Sequence, residues 1–273
     1  MTNKTLPPRT IVAYNTATES ENKIHDDEVA NQLGFTGGLV PGVDVYAYAC
    51  APAISHWGIQ FMDRGRISLR LAAPVFDGET VETIAEIDGN DTLRATVESP
   101  TGRCAILEAT LAPDTTTAPP SQPQTSGPIP SDRPAASPEV FDALKVMGSY
   151  SVTHTEADAV EYLSDIRAES TTSDLGVVHP GWLLRQANYV LSNNVTLGPW
   201  IHVGSEITHH RAVRLGETIE IRACVNRHYE HKDHRFVVLD VSMIDQAGTT
   251  VCSVVHTAIY EPRQLRQPLA DKD

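Results

Sequence analysis

The residues best equipped for chemistry near neutral pH lie in the run Ser20-Glu21-Asn22-Lys23-Ile24-His25. An imidazole titrates close to neutrality and can take or give a proton, which makes His25 the first candidate. Around it stand an amide (Asn22), a hydroxyl (Ser20) and two carboxylates (Glu19 and Glu21) that could orient a water or pair with the ring. Downstream, the turn Gly34-Phe35-Thr36-Gly37-Gly38 leads into Leu39-Val40-Pro41-Gly42, which reads as a helix start. A helix N-terminus carries unpaired backbone N–H groups and partial positive charge. Gly42 and Val43 are therefore candidate donors to a carbonyl oxygen that gains negative charge, and glycine lets that oxygen come close to the backbone. The chemistry this suits is proton transfer beside a carbonyl. The run His25-Asp26-Asp27-Glu28 also fits a short surface helix with an acidic first turn. Asn22, the glycine turn and the repeat described below favour a site.

Other candidates carry two readings each. Asp44, in the first turn of the same helix, could act as a hydrolytic base, or could simply sit well in the helix field. His179, just ahead of Pro180-Gly181, could reach a cavity from the second half or be a packed structural histidine. Arg64, Arg66 and Arg70 recur at even spacing on one strand face, with Arg211 and Arg214 near the equivalent strand. Arginines there suit phosphate groups, or a solvated strand face. The 11 histidines crowd the second half, but there is no HExxH, and His231-Lys232-Asp233-His234 reads as a hairpin turn. No metal site is expected. No GxGxxG, P-loop or GxSxG occurs either, which removes dinucleotide, nucleotide and serine-hydrolase readings.

The elements that must position these residues come in two similar sets. Leu39-Val40-Pro41-Gly42 opens one apolar stretch and Val178-His179-Pro180-Gly181 another. A Gly-Glu-Thr triplet follows each, 36 residues after Gly42 and 35 after Gly181. Strands with period-two alternation come next in both halves, as in VETIAEI and TIEIRACV. Two matching anchors at matching distance indicate a duplication. The stretch Val43–Trp57 is apolar almost all round and must be buried, with Pro52 expected to kink it or end it early. Between the halves, Asp114–Pro138 is rich in Pro, Ser and Thr and reads as an extended surface linker. The expected organisation is one repeat over 1–113, a linker over 114–138 and a second repeat over 139–273. The class is α+β, each repeat a long buried helix wrapped by an antiparallel sheet.

The chain of 273 residues is 41% hydrophobic and 21% charged, as a folded globular protein requires. A net charge of −14 argues against a nucleic-acid partner. No apolar run reaches membrane-spanning length and the start lacks the apolar core of a signal peptide, so a cytoplasmic location is expected, with no membrane partner. Cys50, Cys104, Cys224 and Cys252 form no CxxC and read as buried thiols.

These residues resemble the hotdog superfamily and, within it, the MaoC-like (R)-specific enoyl-thioester hydratases; the whole chain resembles a double hotdog. That family's motif runs Asp-x-Asn-Pro-x-His, then a short acidic helix and a Gly/Phe-rich loop. Asn22 and His25 match it, with Ser20 at the aspartate position and Lys23 at the proline. The second half, Tyr162–Gly181, has no Asn-x-x-His. The resemblance implies one active site, mainly from the first half, with His25, Asn22, Glu21 and Ser20 as catalytic candidates. Gly42, Val43, Asp44, His179 and Arg66 are the oxyanion and substrate-binding candidates. It implies hydration or dehydration of an acyl-CoA or carrier-protein thioester, as in fatty acid metabolism. Coenzyme A then enters only as part of the substrate, with no separate cofactor. Thioester hydrolysis and acyl-thioester binding without catalysis are the alternatives. Two hotdogs in one chain already make the pseudo-dimer that single hotdogs form, and further pairing into a homodimer is compatible with it.

Overall fold

The structure is a computed structural model and describes residues 4–88, 91–113 and 125–266. The first half contains β1 (Lys4–Thr5), β2 (Arg9–Val12), α1 (Asp27–Gln32), α2 (Gly42–Trp57), α3 (Ile59–Arg64), β3 (Gly65–Leu71), β4 (Thr80–Ile87), β5 (Leu93–Ser99) and β6 (Gly102–Leu111). The second contains α4 (Pro138–Ala143), β7 (Tyr150–Thr153), α5 (Glu156–Asp165), α6 (Thr171–Asp174), α7 (Pro180–Ser192), β8 (Ile201–His209), β9 (Thr218–His231), β10 (His234–Asp245), β11 (Thr250–Glu261) and α8 (Arg263–Arg266).

The pairings between these strands are all antiparallel, in one sheet of order β1-β4-β5-β6-β3-β8-β11-β10-β9-β7, with β2 also on β4. Read outward from the β3–β8 seam, the two halves repeat the same order: β3, β6, β5, β4, β2 on one side and β8, β11, β10, β9, β7 on the other. The seam registers Arg66 with Thr208 and Arg70 with Gly204. Alternation sets the faces: in β3 the buried Gly65, Ile67 and Leu69 alternate with the exposed Arg66, Ser68 and Arg70. The Gly-Glu-Thr triplets are turns ahead of β4 and β9, where Gly78 (φ 72°) and Gly216 (φ 80°) take the left-handed backbone that glycine adopts without steric cost. The expected hairpin at 231–234 is present, with Lys232 and Asp233 both at positive φ, as a two-residue turn between twisted strands requires.

Helices α2 and α7 are the spines of the two repeats and pack against each other inside one continuous hydrophobic core. Every residue of α2 from Val43 to Ile54 except Ala51 is buried, as its all-round apolar sequence requires. Pro52 does not end this helix, which runs on to Trp57. Proline removes the N–H that would bond the Tyr48 carbonyl, and the buried hydroxyl of Thr83 on β4 donates to that carbonyl instead, at 3.2 Å. Arg64 ends α3 rather than sharing the β3 face, and its guanidinium donates to the Ala112 carbonyl at 2.6 Å. The cysteines are all free thiols, three buried and Cys224 half-buried. Of the proline-rich stretch, 114–124 lies outside the described residues. Its later part lies on the second half, where the Ala136 N–H donates to the Thr196 carbonyl at 2.9 Å. Among the described residues no helix is long and apolar enough to cross a membrane, and no cluster of three or more His, Cys, Asp or Glu side chains could hold a metal.

Candidate active site

His25 is held at both its backbone and its ring. Asn22 caps the single 3-10 turn Lys23–His25 by accepting from the Ile24 N–H at 3.3 Å. Ile24 then buries into a small cluster with Ala30, Leu33 and Leu39, backed by Phe35, Phe76 and by Ile201 of the second half. Asp26 caps α1 through the Val29 N–H at 3.0 Å. The Leu39 N–H donates to the Ile24 carbonyl at 3.1 Å, and Asn15 Nδ2 donates to the His25 carbonyl at 2.8 Å. A Cβ at Gly38 would run into that same carbonyl oxygen, so the close approach needs glycine.

The ring lies 2.6 Å from the Leu39 carbonyl through Nδ1. A carbonyl only accepts, so Nδ1 carries the proton and Nε2 has the lone pair. Burial lowers the His25 pKa, against the opposing pull of the Leu39 carbonyl, so the ring is neutral at neutral pH. Nε2 thus carries the basic lone pair, which meets the Asn22 amide at the long distance of 3.3 Å.

The Asn22 amide is oriented by backbone donors. Its Oδ1 accepts from the Trp200 N–H at 3.1 Å as well as from Ile24, which fixes Nδ2 as the donor to the Trp200 carbonyl at 3.0 Å and toward His25 Nε2 at 3.3 Å. Asn22 therefore ties the His25 turn to the start of β8, 178 residues away in sequence. The Ser20 hydroxyl accepts from the Asn22 N–H at 3.1 Å. Glu21 turns outward, its side chain 80% exposed, and pairs with Arg133 at 3.0 Å.

Two cavities meet at His25. One, of about 160 Å³, is mostly apolar and is lined by Leu39, Gly42, Leu71, Val75, Ile201 and His202, among others. The other, of about 390 Å³, is more polar and is lined by Ser20, Glu21, Val43, Arg133, Arg185 and Ser192, among others. Asn22, His25, Pro41, Asn188 and Trp200 belong to both walls. The start of α2 faces the same junction, with Gly42 on the apolar cavity and Val43 on the polar one. The Pro41 carbonyl accepts from the N–H groups of Asp44 (2.8 Å) and Val45 (3.1 Å). No protein acceptor among the described residues meets the N–H of Gly42 or Val43, and no side chain caps this helix. These are the unpaired donors that a helix start leaves for a ligand.

Three sequence candidates lie elsewhere. The Asp44 side chain is 0% exposed and lines neither cavity: Arg185 of α7 pairs with it at 2.8 Å and the Thr16 hydroxyl donates to it at 2.6 Å. Burial pushes its carboxyl up, held in check by that guanidinium and hydroxyl. His179 caps its own helix, accepting from the Gly181 N–H at 3.0 Å, outside both cavities. Arg66 is on the solvent face of β3, also outside both. Three second-half residues complete the walls without any signal in the sequence: Asn188, whose Oδ1 is buried without a partner among the described residues, Trp200 and His202. Each reaches the site only because α7 and β8 pack across the seam.

No family model matches this chain, and no curated protein is similar to it in sequence. Solved structures are similar to it in fold. A MaoC-domain dehydratase from Chloroflexus aurantiacus superposes with a TM-score of 0.63 at 13% identity, covering 95% of each chain. A MaoC-like dehydratase gives 0.60 at 14%, over 95% of this chain and 98% of that one. A Mycobacterium tuberculosis protein with a double hotdog fold gives 0.61 at 16%, over 95% and 96%. The chain has the double hotdog fold, of class α+β.

Proposed function

We propose that this protein is an enoyl-thioester hydratase or dehydratase acting on an acyl-CoA or acyl-carrier-protein substrate. One observation carries the reading: a neutral imidazole, its Nε2 lone pair met by no more than a long 3.3 Å contact from Asn22, stands where an apolar cavity meets a polar one, beside two backbone N–H groups that no protein group among the described residues satisfies. The apolar cavity suits an acyl chain and the polar one the pantetheine arm with its phosphates, near Arg133 and Arg185.

In the dehydration direction, His25 Nε2 takes a proton from the α-carbon of a 3-hydroxyacyl thioester. The electron pair moves onto the thioester oxygen, where the N–H groups of Gly42 and Val43 stabilise the enolate. The enolate re-forms the carbonyl as the β-hydroxyl departs, and His25 returns its proton to that oxygen. Water and the 2-enoyl thioester result. Hydration is the reverse, with water held between His25 and the unpartnered Oδ1 of Asn188. This route uses no carboxylate at position 20, where Ser20 stands in place of the related motif's aspartate. The ligand is a small thioester, and neither a nucleic acid nor a membrane is called for in what we take to be a cytoplasmic enzyme.

The test is loss of the enoyl absorbance of crotonyl-CoA and longer enoyl-CoAs. His25→Gln should lower kcat/KM by about 10²–10⁴-fold. Wild-type protein that leaves every chain length untouched overturns the reading. Tight crotonyl-CoA binding without turnover selects a non-catalytic binder, which the missing aspartate favours. Release of free thiol selects a thioesterase.

A further inference from the structure

His202, Ser205 and His256 form a buried polar chain that ends in the apolar cavity. In a regular strand, residues 202 and 205 would face opposite sides. The β8–β11 register shifts between Thr257–Gly204 and Ala258–His202, so one extra residue on β8 brings His202 and Ser205 onto one face. His256 is the cross-strand partner of Ser205. Ser205 Oγ lies 2.9 Å from His202 Nε2 and 3.0 Å from His256 Nδ1, and the two rings stack at 4.3 Å between centroids. His202 is 5% exposed and His256 0%. The two outer nitrogens, His202 Nδ1 and His256 Nε2, have no partner among the described residues. His202 lines the cavity, and a Cβ built on Gly42 would stand 3.0 Å from its Nδ1.

Burial holds His202 down to about 4 and His256 well below the usual histidine range, so each ring carries one proton at neutral pH. The Ser205 hydroxyl has one proton, and among the described residues the two ring nitrogens are the acceptors in its reach, so it donates to one ring and accepts from the other. Two arrangements follow. In the first, His256 Nε2 bears an N–H enclosed in the core with nothing to receive it. In the second, the outer N–H is on His202 Nδ1, at the cavity beside Gly42. Orphaned N–H groups are rarely tolerated in a core, which favours the second.

The geometry points to His202 Nδ1–H as a side-chain donor to the carbonyl oxygen of the bound ligand, beside the Gly42 N–H, with Ser205 and His256 holding the ring in that tautomer. This rests on the acyl-thioester reading of the cavity and adds a residue from the opposite repeat to the oxyanion site. Two donors converging on one point repel until an oxygen arrives, which is the preorganisation that stabilises developing negative charge.

The tautomer is read without turnover, from two-bond ¹⁵N–¹H correlations of the histidine rings in the full-length protein, with His202 assigned by its loss in His202→Gln. The expected pattern is protonated Nδ1 and bare Nε2, with the Nδ1 proton moving downfield on addition of crotonyl-CoA. A ring protonated at Nε2, or an Nδ1 proton that ignores saturating crotonyl-CoA, overturns the proposal. Ser205→Ala, which keeps the ring but removes the relay, should convert His202 to a tautomer mixture; an unchanged tautomer overturns the role of Ser205. If the wild type hydrates crotonyl-CoA, His202→Gln and His202→Phe should lower kcat by about 10²-fold with KM nearly constant. Retention of activity within threefold by a folded variant overturns the donor role. If the wild type shows the tautomer and the ligand shift but no turnover, the donor stands and the hydratase reading fails.

Discussion

The two long helices begin alike in sequence and differently in space. At α2, Pro41-Gly42 leaves the first N–H groups open to the cavities, with no side-chain cap. At α7, Pro180-Gly181 has the same shape, but His179 folds over it and takes the Gly181 N–H. The first half has Val40 at the corresponding place, which cannot accept a hydrogen bond. One side chain thus separates a helix start available to ligand from one satisfied internally. The polar surroundings differ as well. His154 stacks on Trp182 at 4.2 Å and Tyr162 tilts against His179 at 5.4 Å, so aromatic rings pack around the start of α7.

The comparison can be broken most forcefully at the link between the helices. Asp44→Ala leaves Arg185 buried and unpaired and should cost about 3–5 kcal/mol of unfolding free energy, measured by urea titration. A loss under about 1 kcal/mol would show that the pair is not what holds the open helix start against α7. Next, Gly42→Ala places a methyl against Leu71 and His202 at the cavity and should reduce kcat/KM by about 10²–10³-fold, while Gly181→Ala should act through stability alone.

Acid sharpens the contrast. Burial lowers His179 to about 3 and His154, His202 and His209 to about 4, all in the second half. A lowered folded pKa means that these rings stabilise the fold fully above the unfolded value of about 6.5, and that this stabilisation is lost as pH falls toward 4. The slope should reach about 1.4 kcal/mol per pH unit for each ring that must stay neutral. Hydrogen exchange at pH 5 against pH 7 should show α7 and β8 loosening before α2; the reverse order would contradict it. The acid limb of kcat/KM, set by His25, should also fall below 6.5. The smallest effect is at the closed helix: His179→Ala should cost about 1 kcal/mol for the lost cap and leave turnover unchanged.

Much of this architecture was legible in the chain because it rests on local physics. The Gly-Glu-Thr turns, the all-round apolar Val43–Trp57 helix and the 231–234 hairpin each follow from backbone preference or periodicity within a few residues. Pro52 misleads because its compensation, the Thr83 hydroxyl, is on another strand. The candidate site is legible only in its first-half portion. Asn22 and His25 are three residues apart, whereas Trp200 joins them across 178 residues, and Asp44 finds Arg185 across 141. His202 and Ser205 share a face only through a bulge, which strict alternation hides.

The seam between β3 and β8 acts as a ruler for the cavity. Trp200, Ile201 and His202 arrive opposite Gly42 only while Arg70 stays level with Gly204. Each strand residue advances about 3.4 Å, so sliding the halves by two residues would carry those walls roughly 7 Å from the helix mouth while keeping every ladder bond type intact. The spacing of the candidate site is therefore written in strand register, and a change far from it would erase the pocket without unfolding either repeat.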